Sequence, residues 1–126
     1  MIIGIGIDLC QSGRWLRLLD RYGERSLRRV FSEEEANLLL SSPPKSLAER
    51  AAGRWALREA MGKAMGTGLK GWDMRELQYA AGRVKTSGSL KKKLEGLGVE
   101  KIHATISHDG GFSVAVVVLE KSFGIW

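Results

Sequence analysis

A chain of 126 residues with 44% hydrophobic and 27% charged side chains suits one globular domain spanning residues 1–126, built round a single core. No apolar run approaches the roughly eighteen residues of a membrane span, the opening MIIGIGIDLC has neither a basic leader nor a small-residue cleavage site, and the one cysteine, Cys10, permits no internal disulfide and no zinc cluster, so a cytoplasmic protein is expected. The formal charge of +6 and pI near 9.8 point to an acidic partner, whether nucleic acid, a phosphorylated small molecule or an acidic protein.

The segment MIIGIGIDL alternates. It places Ile3, Ile5 and Ile7 on one face of a strand and Gly4, Gly6 and Asp8 on the other, so that Asp8 ends the strand on a face otherwise bare of side chains. Residues 12–29 carry helical periodicity, loosened at Gly23. In SEEEANLLL, Ser32 with Glu35 three places later matches a capping box and predicts a short helix ending before Pro43-Pro44. SLAER repeats the pattern with Ser46 and Glu49, opening a long helix that ends at Gly66. A strand is expected over 77–85, and a short solvated helix in SGSLKKKLEGLG. KIHATISH and FSVAVVVLE read as two strands joined by a tight DGG hairpin turn. The apolar tail KSFGIW fits closure of a core or an oligomer contact. Together these predict an α+β fold, a mainly antiparallel sheet packed against one long central helix plus shorter helices.

Within the long helix, Ala48, Ala52, Ala56, Ala60 and Ala64 form a ladder of small side chains, and Glu59 and Lys63 project from the same stripe. Trp55, Leu57, Met61 and Met65 occupy its other sides, so the helix is expected to pack on more than one face. An alanine ladder invites close approach, and the glycine face of the first strand is its natural complement. Docking of the two surfaces would bring Asp8 and Glu59 into one cleft. The bland alternative is an exposed Glu-to-Lys pair one turn apart, worth about 0.3 kcal/mol, with Asp8 a turn-former or cap. Farther upstream, Arg14, Arg17, Arg21, Arg25 and Arg28 would share an arc of roughly 80° on a continuous helix, away from Trp15, Leu19, Leu27 and Val30. Such a stripe is either a solvated face or a binding surface, and arginine without lysine favours planar, bidentate contacts to carboxylate or phosphate.

The strand GIGIDL, the run GRWALREAMGKAMGTG and the late strand TISHD resemble, in order and spacing, the three motifs of the 4′-phosphopantetheinyl transferases, in particular the short holo-acyl-carrier-protein synthases. RVFSEEE and the closing hairpin fall where that family has them. Two positions depart from its pattern: Gln11 stands where a Glu is common, and Arg58 where a Lys is usual. The resemblance implies transfer of the phosphopantetheine arm of coenzyme A to a serine of an acyl carrier protein, releasing adenosine 3′,5′-bisphosphate. It implies Mg²⁺ held by Asp8 and Glu59, Lys63 on the phosphate, and coenzyme contacts from Arg50, Arg54, Thr67, Gly68, Ser107 and His108. Either Glu59 or a metal-bound water would take the serine proton. The resemblance further implies a homotrimer with active sites at subunit junctions, and turns the arginine stripe into a docking face for an acidic carrier. The competing class is a small basic nucleic-acid-binding domain, for which the sequence offers no stacking aromatic motif or helix-turn-helix.

Overall fold

The computed structural model describes residues 1–122; the end of KSFGIW, residues 123–126, and with it the role expected of that tail, lies outside the described residues. In chain order the elements are β1 (Ile2–Gln11), α1 (Ser12–Tyr22), α2 (Glu24–Val30), α3 (Glu33–Leu40), α4 (Pro44–Met65), a 3₁₀ turn (Met74–Glu76), β2 (Leu77–Ala80), β3 (Arg83–Thr86), α5 (Gly88–Gly96), β4 (Lys101–Asp109) and β5 (Phe112–Glu120). The fold is α+β, as expected. An antiparallel sheet of order β1-β5-β4 carries α4 on one face, and β2 and β3 form a separate hairpin. Among the described residues no helix is long and apolar enough to cross a membrane.

The seam between β1 and α4 organises the molecule. All five alanines of the ladder are buried, and the glycine face of β1 lies directly on them: a methyl group at Gly4 would be driven into the carbonyl of Ala64, and one at Gly6 into that of Ala60. Two strand residues advance roughly 6.8 Å and four helix residues about 6 Å. The two ladders therefore stay nearly in step, and the next rung sets Asp8 level with Ala56. Leu57, Met61 and Met65 are buried on the other sides of α4, against the core with Trp15, Phe31, Leu77 and Leu90. Long side chains fill one flank of this helix while bare backbone meets backbone on the other.

Several sequence expectations are corrected. Asp8 does not end its strand, because β1 continues in register with β5 to Gln11. The periodic stretch 12–29 is two helices. Gly23 breaks it with φ 62° and ψ −145°, a conformation open essentially to glycine alone. The long helix starts two residues before Ser46, at Pro44, whose missing N–H costs nothing in a first turn; Ser46 donates its hydroxyl to the carbonyl of Pro43. The Ser32 hydroxyl does cap α3 by accepting from the Glu35 N–H at 3.2 Å. The other half of that capping box is absent, since the Glu35 carboxylate turns into the core instead. The strand expected over 77–85 is the β2–β3 hairpin, turned at Ala81 and Gly82 with φ 51° and 74°. The end of α4 at Gly66, the solvated α5 and the β4–β5 hairpin form as expected.

Candidate active site

Lys63 answers the question its spacing poses. It does not pair with Glu59 one turn away. Its ammonium donates to the Asp8 carboxylate at 3.1 Å and to the Ile7 carbonyl at 2.9 Å, across the seam from α4 to β1. Helical side chains lean toward the N-terminus of their helix, which carries the Lys63 stem back over Ala60 toward the level of Asp8. The Asp8 side chain is only 19% exposed and Lys63 54%, so the carboxylate is sheltered while the ammonium that covers it stays open to solvent. Glu59 lies half-buried on the same flank. Cys10, the next residue on this face of β1, is buried; burial pushes its thiol up, Arg14 opposes that, and both Asp8 and Glu59 reinforce it. The two carboxylates thus act on one buried atom.

This donor set fits a hard divalent cation. Among the described residues there is no group of three or more His, Cys, Asp or Glu able to hold a metal. Two carboxylate donors are what Mg²⁺ usually takes from a protein, its other positions being filled by water and substrate phosphate.

The remaining candidates divide into distinct places. His108 and Ser107 are neighbours on β4 and therefore point to opposite faces of the sheet. His108 lies on the α4 side, against Gly53, where a methyl group would come within 2.8 Å of its ring. Its Nδ1 meets Ser113 Oγ at 2.7 Å, and the single hydroxyl proton of Ser113 goes to the Glu49 carbonyl. Nδ1 must then be the donor, which leaves Nε2 outward as acceptor in the neutral ring. Ser107 shares the other face with Leu9 and Val114. β5 separates β1 from β4, and Asp8 and His108 oppose different β5 residues, Ala115 and Ser113, so two strand spacings and a two-residue offset set them roughly 12 Å apart. One chain does not bring them together.

Arg50 is exposed one turn before Gly53. Arg54 is committed to the interior, its Nε 3.0 Å from Glu35 but off the hydrogen-bonding axis, its guanidinium over the Tyr79 ring. The N–H groups of Thr67 and Gly68 both close on the Gly62 carbonyl, and the Gly68 carbonyl accepts from the Trp72 indole. These two residues serve as a helix end, leaving the exposed Thr67 side chain beside a small apolar hollow at Met65 and Leu97.

The arginine stripe is bent at Gly23. Arg14 stacks on Trp55 with its carbon 5.1 Å from the ring centre. Arg14, Arg25 and Arg28 line an open groove of about 840 Å³ together with Leu18, Tyr22 and Trp55, whereas Arg17 and Arg21 lie outside it. Two further arginines line the groove that periodicity on one helix missed: Arg29, off the stripe's spacing, and Arg75, from the 3₁₀ turn. No signal in the local sequence ties Arg75 to α2.

Over residues 4–117 the sequence matches the 4′-phosphopantetheinyl transferase superfamily. It is 36% identical to a holo-[acyl-carrier-protein] synthase of Maridesulfovibrio salexigens, over 96% of this chain and 100% of that one. Its fold is similar to the crystal structure of holo-[acyl-carrier-protein] synthase from Neisseria meningitidis, with TM-score 0.85, 29% identity and coverage of 96% and 100%. It is also similar to the Helicobacter pylori synthase solved in complex with coenzyme A, with TM-score 0.76, 30% identity and coverage of 92% and 99%.

Proposed function

The chain belongs to the 4′-phosphopantetheinyl transferase superfamily, alongside the holo-[acyl-carrier-protein] synthases, and from that premise we propose that it transfers the 4′-phosphopantetheine arm of coenzyme A to a serine of an apo-acyl carrier protein, with Mg²⁺ bound and adenosine 3′,5′-bisphosphate released. The observation that carries this reading is the Lys63–Asp8 contact across the β1–α4 seam, with Glu59 on the same flank. It joins a carboxylate and an ammonium that lie 55 residues apart in the chain, with a second carboxylate on the same flank.

In the reaction a new bond forms between the serine oxygen and the β-phosphorus of coenzyme A. The bond from that phosphorus to the oxygen bridging the α-phosphate breaks, and the hydroxyl proton passes to Glu59, directly or through one water. Such a displacement is catalysed mainly by positioning and charge. Asp8 and Glu59 would hold Mg²⁺, which when bound supplies divalent charge to the pyrophosphate. Lys63 provides a cation at the leaving side. His108 offers Nε2 as an acceptor when neutral, and as a donor to a phosphate oxygen when protonated. Arg50, one turn along α4 from the glycine beneath His108, adds a cation on the same side.

The separation of these two groups of residues supports assembly. A complete site takes Asp8, Glu59 and Lys63 from one copy and His108 with Arg50 from a neighbour, as in a homotrimer with junctional sites. The sheet face opposite α4 suits such packing: Ile5, Ile7 and Leu9 are 60%, 57% and 59% exposed, in rows with Val118, Val116 and Val114. The bent arginine groove, lined by guanidinium groups together with Leu18 and Trp55, suits an acidic carrier.

The test is direct. The purified chain is incubated with coenzyme A, Mg²⁺ and apo-carrier, and the carrier is weighed. The expected result is a mass gain of one phosphopantetheine, lost on chelation and restored by Mg²⁺. Asp8→Ala and Glu59→Ala should each lower the rate by about 10²–10³-fold with circular dichroism unchanged; full turnover in either would remove their assigned role.

A further inference from the structure

We propose that Lys63 competes with the divalent metal for Asp8: before coenzyme arrives its ammonium occupies that carboxylate and holds the ion off, and the coenzyme pyrophosphate, by drawing the ammonium away, opens Asp8 to Mg²⁺. The device rests on the transferase reading above and goes beyond it, because it makes coenzyme and metal bind as a coupled pair.

β1 is an edge strand of its sheet, so alternate carbonyls along it lack a ladder partner. Lys63 reaches over this edge and takes oxygens from two consecutive residues, the Ile7 carbonyl at 2.9 Å and Asp8 Oδ1 at 3.1 Å. Carboxylate and carbonyl oxygens are also the donors a hard divalent cation takes from a protein. Ammonium and metal therefore contend for one of the two carboxylates assigned to the ion. Among the described residues Lys63 pairs with no other acid, although Glu59 lies one turn away on α4.

Charge decides when the ammonium leaves. Two carboxylates and one ammonium give Asp8, Glu59 and Lys63 one net negative charge. A divalent ion added to them reverses that sign and sets two cations against each other across a shared carboxylate. The pyrophosphate brings two negative charges and acceptor oxygens of its own, so the ammonium has a second anion to go to and the metal a less crowded carboxylate. Lysine suits this exchange. A point charge on a flexible, half-exposed stem changes partner more readily than a planar guanidinium held bidentately by the same carboxylate. The coupling is reciprocal: by whatever factor coenzyme tightens the metal, the metal tightens coenzyme.

The experiment titrates Mn²⁺, a paramagnetic stand-in for Mg²⁺, into the unaltered chain, K63M, K63Q and D8N, with and without saturating coenzyme A and with no carrier present. The free-ion electron paramagnetic resonance signal reports binding, and coenzyme alone is titrated to subtract its own share. K63M keeps a stem of similar length without the charge, and K63Q, which keeps a donor for the Ile7 carbonyl, guards against a folding defect in the first variant. Without coenzyme, both Lys63 variants are expected to bind Mn²⁺ about tenfold more tightly than the unaltered chain. With coenzyme bound that advantage should shrink to within about twofold, and D8N should bind weakly throughout. Lys63 variants that bind Mn²⁺ no more tightly than the unaltered chain, or an advantage that persists in full with coenzyme bound, overturn the exchange and leave the transferase reading standing. Undiminished Mn²⁺ binding by D8N removes Asp8 from the metal site, and overturns that part of the transferase reading together with this proposal.

Discussion

Arg58 places its guanidinium inside the protein. Fully buried, it donates to the carbonyls of Met74, Arg54 and Leu77 and to the Glu35 carboxylate, and it lies over the ring of Phe31. Burial pulls its pKa down, and Glu35 works against that. A lysine, with one compact ammonium, cannot span four acceptors arranged round a planar fork. Arg58→Ala strips the guanidinium bonds from Glu35 Oε1 and three carbonyls, leaves the buried Glu35 with only the Tyr79 N–H and the nearby Arg54, and should cost about 3–5 kcal/mol in urea unfolding, with Arg58→Lys in between. Glu76 shows the opposite economy, at the surface. Burial pushes its carboxyl up, but bonds from the Ser89 hydroxyl and from the N–H groups of Asp73, Ser89 and Leu90 outweigh that and hold it below the usual glutamate range. A carboxyl lowered by folding stabilises the chain above its unfolded pKa, and that stability is lost as pH falls through the folded one. Acidification below about pH 4.3 should therefore lower the melting midpoint, and Glu76→Gln should flatten that descent. Asp73, lowered chiefly by its hydrogen bond from Arg75, leaves part of the slope in place. Equal slopes in both proteins would deny Glu76 the role.

At the scale of elements, the β1–α4 seam was legible because two periodicities of small residues happen to match in pitch, and because a glycine face with an aspartate on it has few other uses. Gly6→Ala tests it: the added methyl meets the Ala60 carbonyl, a backbone atom that cannot swing away. Overpacking of this kind costs about 1–3 kcal/mol, and because Asp8 and Lys63 are aligned by the same contact, carrier modification should fall further than the loss of stability explains. What the sequence hid has physical reasons too. Ala81 turns the β2–β3 hairpin at positive φ, and alanine carries no turn signal there. Glu35 satisfied a local capping pattern, yet its carboxylate found a better partner in Arg58, twenty-three residues away. Gly23 looked like a loosening of one helix because helical periodicity resumes after it. Gly23→Ala, placed where only glycine sits without strain, should destabilise by about 1–3 kcal/mol and weaken use of the carrier by opening the groove.

For the whole molecule, the sheet face bearing Ile5, Ile7 and Leu9 is the surface on which the proposed assembly is tested. Apolar side chains more than half exposed in one continuous patch mark an interaction surface. If the chain assembles as proposed, Ile7→Arg, in the middle of that patch, should convert trimers to monomers in sedimentation, keep the circular dichroism of the folded chain and abolish carrier modification, since half of each proposed site would be lost. An active monomer would show that the junctional reading is wrong. The candidate site was legible in one half, Asp8, Glu59 and Lys63, because their alignment depends on local repeats. His108 and Arg50 were named through the family resemblance alone, and their separation from Asp8 was not legible, because the strand order that puts β5 between Asp8 and His108 is a long-range property. The seam also has a mechanical meaning. Because main-chain atoms, not packed side chains, set the spacing between the first strand and the long helix, the acid and the lysine ride on a stiff frame. Exchanges such as Met61→Leu on the far flank of that helix can loosen or tighten the interior while the distance between the two charged groups stays where the peptide backbone puts it.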